Sequence, residues 1–306
     1  MKAFPGFRGI ILLALLLLFP SMPGGCDTIE ILMPSRLNFP SWVLDSLRKR
    51  IGTLLAHEVS LHLLPISAES GPVDVASVPL LLIEEGTHLA SVAAEMRPTP
   101  ITLHVFWMLG TRMERLAGIA SAPPATLREF YDLLEQLRLR NPDHYPWFES
   151  LEAPLTLYRL RQAMRKGPED VTPTHLQNAL DRKWLNPYSL ESDESLAHEV
   201  FEAGDAVFSS LWVPGDAVAS SVFVATCGIR FSPFPGPDGP TAVPHIRLRL
   251  WANREDPRWS GRAVAPFLPS REIEGAVFLP CDILSERLWV KREGSRYFNR
   301  LIEGEP

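Results

Sequence analysis

From residue 29 onward the chain alternates short apolar runs with stretches whose apolar positions recur every three to four residues. Ile29–Met33 is a brief apolar run suited to a buried strand. A loop over 34–40 follows, and Ser41 can cap a helix from Trp42 to about His57, with Val43, Leu47, Ile51, Leu54 and Leu55 on one face. Val59–Leu64 and Val73–Val78 read as further strands, Leu81–Ala94 as a helix and Thr102–Leu109 as a strand. Arg112–Leu116 begins a helix that Gly118 stops. The clearest helix runs from Thr126 to about Arg140. Thr126 and Glu129 have the spacing of a capping box, and Leu127, Phe130, Leu134 and Leu137 form a stripe. Helices are also expected at 155–165, 173–183 and 194–203, and strands at 206–211, 228–231 and 246–251, with an open loop at 213–215. Strands alternating with helices predict an α/β class with a parallel sheet.

Proline sharpens the boundaries. The 29 prolines gather at 98 and 100, at 123 and 124, and between 233 and 244, where loops are expected. The first 26 residues stand apart. Lys2 and Arg8 flank the apolar run Ile10–Phe19, and the small residues Ser21, Pro23, Gly24 and Gly25 precede Cys26. A basic start, a short apolar stretch and a small-residue exit describe an export signal over 1–25. The run is about half the ~20 residues needed to span a bilayer. Cys26 is placed for lipid attachment, although Pro23 stands where such signals usually have leucine. The exported remainder is expected in the periplasm or at the cell surface.

Composition excludes some classes. Of 306 residues, 22% are charged and 46% hydrophobic, as in globular chains. The net charge of −6, with basic residues scattered singly, argues against nucleic acid as a partner. Cys227 and Cys281 either pair or remain separate buried thiols. His-Glu-x-x-His, Gly-x-Ser-x-Gly and the phosphate loop are all missing. His57 and His62 are poorly spaced for a metal, Asp143 and His144 read as a turn between prolines, and Glu84 and Glu85 do not face each other on a helix. The chain is therefore expected to be neither an enzyme nor a carrier of metal or cofactor.

Four motifs occur in order. They are GPVDVASVP at 71–79, RMERLAGI at 112–119 followed by PPATLREF at 123–130, FEAGDAVF at 201–208 with Trp212, and GIRFSPFP at 228–235. Together they resemble the extracellular solute-binding proteins of bacterial ABC importers, in the sugar-binding family that includes maltose-type receptors. Leu127 replaces that family's usual tryptophan. Trp107–Thr111 stands where its tyrosine-asparagine-lysine signature would be.

The resemblance implies a two-lobed, periplasmic-binding-protein-like α/β fold of type II. Residues 26–105 would form the first lobe, 106–240 the second, and 241–306 would return to the first. Ligand would bind in the cleft as the lobes close on a hinge. Aromatic faces would stack on sugar rings while polar groups pair with hydroxyls. That selects Ser35, Arg36 and Asn38 in the loop after the first strand, Trp42 at the start of the first helix, Trp107 at the lobe crossing, and Trp212 near the cleft. The implied partners are a small solute, with carbohydrate favoured, ABC permease subunits, and the membrane through Cys26; the receptor would be monomeric. The alternative is an envelope lipoprotein that uses the same scaffold for sensing or protein interaction.

Overall fold

The computed structural model describes residues 28–34, 39–55, 58–64, 80–84, 96–165, 171–215, 228–254, 278–280 and 299. The expected strand at 73–78, the export signal, and Cys26, Cys227 and Cys281 lie outside these residues.

The first apolar run becomes β1 (Ile29–Pro34), and the first amphipathic stretch becomes α1 (Ser41–Leu55). Val43, Leu47, Ile51 and Leu55 are the buried face of α1, as the spacing requires. β2 (Val59–Leu64) lies parallel to β1, pairing Ile29 with Val59. β3 (Leu80–Glu84) lies parallel on the other side of β1. This corrects the expected helix over 81–94, whose first four residues are strand. Leu80–Ile83 is apolar at every position and buried on both faces, so no period distinguished strand from helix there.

β4 (Met96–Arg112) is 17 residues long and extends past both ends of the expected strand. It contains Pro98 and Pro100, which were expected in a loop. They are accommodated where the register with the neighbouring strand shifts, between Pro98 and Thr102. A bulge tolerates prolines that an unbroken ladder would not. β5 (Phe208–Pro214), β6 (Ile229–Ser232), β7 (Val243–Asn253) and β8 (Phe278–Pro280) complete one sheet of order β2-β1-β3-β7-β4-β5, with β6 on β4 and β8 on β7. The sheet is mixed rather than parallel. β7 runs antiparallel to both β3 and β4, and β5 and β6 run antiparallel to β4. The expected loop at 213–215 is also corrected, because Val213 and Pro214 belong to β5.

Helices cover the sheet. α2 (Leu127–Arg140) starts with the expected capping box: Thr126 Oγ1 accepts from Glu129 N–H, and Glu129 Oε2 accepts from Thr126 N–H. α3 (Pro154–Met164), α4 (Thr172–Asp181) and α5 (Glu194–Ala203) follow. The helix expected at Arg112 is a short 3-10 turn, Met113–Leu116. α5 is capped at both ends. The Asp193 side chain accepts from Leu196 N–H, and Gly204, in the left-handed region at φ 89°, closes the last turn. Arg112 donates to the carbonyls of Phe201 and Glu202, and Arg115 to that of Gly204. Two cations thus satisfy orphan acceptors at the negative end of the helix.

The core has two main parts. One face of the sheet packs against α1 to α4 in a large cluster that includes Trp107, Phe130, Trp147 and Trp212. The other face carries a smaller cluster of Phe106, Met108, Leu211 and Val213, covered by Phe201 of α5.

Candidate functional site

Strand alternation places Trp107 on the same face as Val105 and Leu109. The antiparallel register then pairs Trp107 with Trp212 of β5. The register sets the two residues opposite each other on neighbouring strands although they are 105 positions apart in sequence.

A third residue joins them from α3. Thr156, Leu160 and Ala163 are on the buried side of that helix, and Arg159 has the same spacing. Its guanidinium carbon lies 3.9 Å from the ring centre of Trp212 and 5.9 Å from that of Trp107. Arg159 is only 2% exposed. A desolvated cation over an indole contributes about 2 kcal/mol. Trp212 Nε1–H donates to Glu194 Oε1 at 3.2 Å, and Thr156 approaches the same oxygen at 3.5 Å. Burial pushes the Glu194 carboxyl up, against the opposing pull of Arg159 and of these two hydrogen bonds. Phe39 meets Trp212 edge-on at 5.5 Å, and Phe234 stacks on Trp107 at 5.8 Å.

Beside this cluster is a cavity of about 530 Å³, lined by Trp107, Arg159, Gln162, Arg165, Asp238 and Thr241 among others. Its volume lies in the range of small-molecule sites. The proline-rich segment forms one wall and is held in place by backbone bonds. Gly236 N–H donates to Gly239 O at 2.8 Å, Thr241 donates twice to Phe234 O, and Leu127 N–H, in the first turn of α2, donates to Gly236 O. Gly236 is needed here because a Cβ would sit 2.7 Å from the carbonyl oxygen of Gly239. The cavity combines an aromatic and cationic floor with a polar rim. Such a lining suits a flat ring bearing hydroxyls or charges.

Trp107 and Trp212 thus meet at one place, and both are buried. Trp42 is elsewhere. It stacks on His198 of α5 at 4.1 Å with the rings 8° apart, and His198 pairs with Glu202 at 3.1 Å. Ser35, Arg36 and Asn38 lie outside the described residues. Sequence reasoning missed Arg159, Gln162, Arg165 and Glu194. The available signal was an arginine at the spacing of α3's apolar stripe.

Two other polar centres stand out. Glu149 is fully buried. Its Oε1 accepts from Trp147 Nε1–H at 2.7 Å and from the Ser210 N–H and hydroxyl at 3.0 and 2.8 Å. Its Oε2 has no hydrogen-bond partner among the described residues. Burial pushes this carboxyl up to about 7. On β4 and β7, His104 Nδ1 and His245 Nε2 are 2.7 Å apart. The ring planes are 1° apart and the centres 4.9 Å apart, which puts the rings edge to edge with one N–H pointing at the other's lone pair. Burial, aided by Arg247, pushes His104 down to about 4.

Among the described residues no helix is long and apolar enough to cross a membrane. The sequence matches no protein-family model, and no curated protein matches it. Solved structures do match. A sugar transporter from Bacillus licheniformis, in complex with stachyose, aligns with 92% of this chain and 96% of its own at a TM-score of 0.54 and 9% identity. Maltose-bound MalE3 of T. maritima aligns with 75% of this chain and 73% of its own at a TM-score of 0.44 and 14% identity. The first likeness spans nearly the whole of both chains and is a likeness of fold: this chain is built on the two-lobed α/β plan of the periplasmic solute-binding proteins.

Proposed function

We propose that this chain is an extracytoplasmic solute receptor that captures a carbohydrate between its lobes and passes it to the permease of an ABC importer. Residues 26–105 with 241–306 form one lobe and 106–240 the other, so that β4 and the segment leading into β7 carry the chain between them. Export depends on residues 1–25, and Cys26 carries the lipid that keeps the receptor at the membrane. The observation that carries the reading is a polar-rimmed cavity with Trp107 and Arg159 in its wall, the two residues that pack with the buried Trp212 behind it. The fold shared with a sugar transporter that was solved with stachyose supports it. Trp107 and Arg159 form the floor, backed by Trp212, and Gln162, Asp238 and Thr241 meet sugar hydroxyls at the rim. Ser35, Arg36 and Asn38 contribute from the first lobe.

The test is a thermal-shift and calorimetric screen of the purified protein against maltose, stachyose and a panel of mono- and oligosaccharides. A sugar at about 100 times its dissociation constant adds about 2.7 kcal/mol of stability. The absence of a shift with every carbohydrate in the panel refutes the reading. For a sugar that binds, Trp107→Leu lowers affinity at least ten-fold, the effect of about 1.4 kcal/mol of lost stacking.

A further inference from the structure

Two aromatic contacts join residues that are far apart in sequence and, on the division proposed above, in different lobes. Phe39 and Trp42, at the start of α1, belong to 26–105, whereas His198 of α5 and Trp212 of β5 belong to 106–240. Phe39 meets Trp212 edge-on at 5.5 Å. Trp42 lies flat on His198, with ring centres 4.1 Å apart and planes 8° apart, and it packs against both main core clusters. Of these four rings only His198 can change its charge near neutral pH. The stack leaves its side chain 13% exposed. Its Nε2 lies 3.1 Å from Glu202 Oε1, one helical turn further on, so the neutral ring keeps its proton there and donates to the carboxylate. Its Nδ1 is buried and has no hydrogen-bond partner among the described residues. A charged ring would carry a second N–H at that position with nothing to accept it, and a buried donor left unpaired is costly.

Several groups pull the other way. Glu202 and Glu199 on α5 favour the charged ring, as does the face of Trp42. Glu194, one turn earlier on α5, is bonded to Trp212. On α1, Asp45 lies one turn beyond Trp42 and is paired with Arg48 at 3.1 Å. Arg112 and Arg115 meet α5 at its far end, where they bond the last carbonyls. β5 carries no titratable side chain. Burial outweighs all of these and holds His198 below its ordinary 6.5. Parting the lobes returns the ring to water and to that ordinary value.

Resting on the two-lobed receptor reading above, we propose that Trp42 and His198 form a pH-sensitive clasp between the lobes, closed while the imidazole is neutral and released when Nδ1 takes a proton. The closed form then binds one proton fewer than the open form. Its advantage is full above about pH 6.5 and shrinks in acid, by at most about ten-fold in the ratio of closed to open for each pH unit. Solute held between closed lobes is therefore released more readily as the medium acidifies.

Small-angle X-ray scattering of the purified protein without ligand reads the separation of the lobes. The wild type is expected to have a larger radius of gyration at about pH 5.5 than at about pH 7.5. His198→Phe keeps a ring on Trp42 but cannot take a proton, and it is expected to stay compact at both. Trp42→Ala removes the stack and is expected to be expanded at both, with urea unfolding to check that it folds. A wild-type radius that ignores pH overturns the clasp. So does an acid expansion that persists in His198→Phe, or a folded Trp42→Ala protein as compact as the wild type. Should Trp42→Ala fail to fold, His198→Phe decides alone. For a sugar that binds in the screen above, the dissociation constant is expected to rise several-fold between the same two pH values in the wild type and to stay level in His198→Phe; a wild-type constant that stays level also overturns the clasp. If no sugar binds, the carbohydrate reading falls and the scattering still decides the clasp.

Discussion

Glu149→Gln tests the buried polar centre between α2 and β5. In the folded chain one oxygen of Glu149 accepts three hydrogen bonds while the other has no partner among the described residues. Burial dominates the bonds from Trp147 and Ser210 and raises the carboxyl from its ordinary 4.5 to about 7. A group with a raised folded pKa takes up a proton as the chain folds. Its stabilisation is full below about pH 4.5 and is lost as the pH rises through 7. At about 1.36 kcal/mol for each pH unit between the two values, the loss approaches about 3 kcal/mol. Glutamine keeps the shape and the accepting oxygen and does not titrate. Its amide nitrogen falls where the second oxygen was, a pH-independent cost of about 1–3 kcal/mol. The variant should therefore be the less stable protein at about pH 5, and the gap should close or reverse by about pH 8. Urea unfolding of both proteins at intervals across that range gives the difference directly. Parallel stability curves would refute the assignment of a raised carboxyl at Glu149.

Three further outcomes follow from local geometry. Thr126→Ala removes one half of the capping box and should cost about 1 kcal/mol, read as a lower urea midpoint with an unchanged slope. Gly236→Ala places a methyl group 2.7 Å from the Gly239 oxygen. It should lower the melting temperature and weaken ligand binding together, and intact binding would mean that this wall is not part of the site. His104→Phe removes a group held down to about 4. Below about pH 6.5 the unfolded chain takes a proton that folded His104 refuses, so wild-type stability falls towards pH 4, and the variant should show a shallower acid limb in thermal melts. An unchanged acid limb would sink the claim that burial suppresses this histidine's charge.

What the sequence reveals divides by range. The capping box, the α1 stripe and the alternation in β7 are local, and each appears where its period or spacing places it. The errors occur where local rules compete. Leu80–Ile83 is uniformly apolar because it is buried on both faces, so it has no period to read. Pro98 and Pro100 are breakers in isolation, yet a register shift accommodates them. The candidate site depends on a register. Trp107 and Trp212 were each noticeable as lone aromatics, but only the β4–β5 pairing puts them side by side. Arg159 was hidden for a different reason: an arginine in a helix reads as solvated, and only packing shows that this one lies under two indoles.

The place of β7 in the sheet has a consequence for how the chain folds. β3 and β4 are sequence neighbours, but each hydrogen-bonds to β7 rather than to the other. Until residues 243–253 arrive, the sheet exists as two pieces with open edges, one of them the wholly apolar Leu80–Ile83. Closing contacts over more than 130 positions is slow, and open apolar edges attract other chains. A shortened chain that stops before Val243 should therefore collect in aggregates rather than as a stable half-molecule. When residues 243–253 are present, the docking of β7 between β3 and β4 sets the pace of assembly.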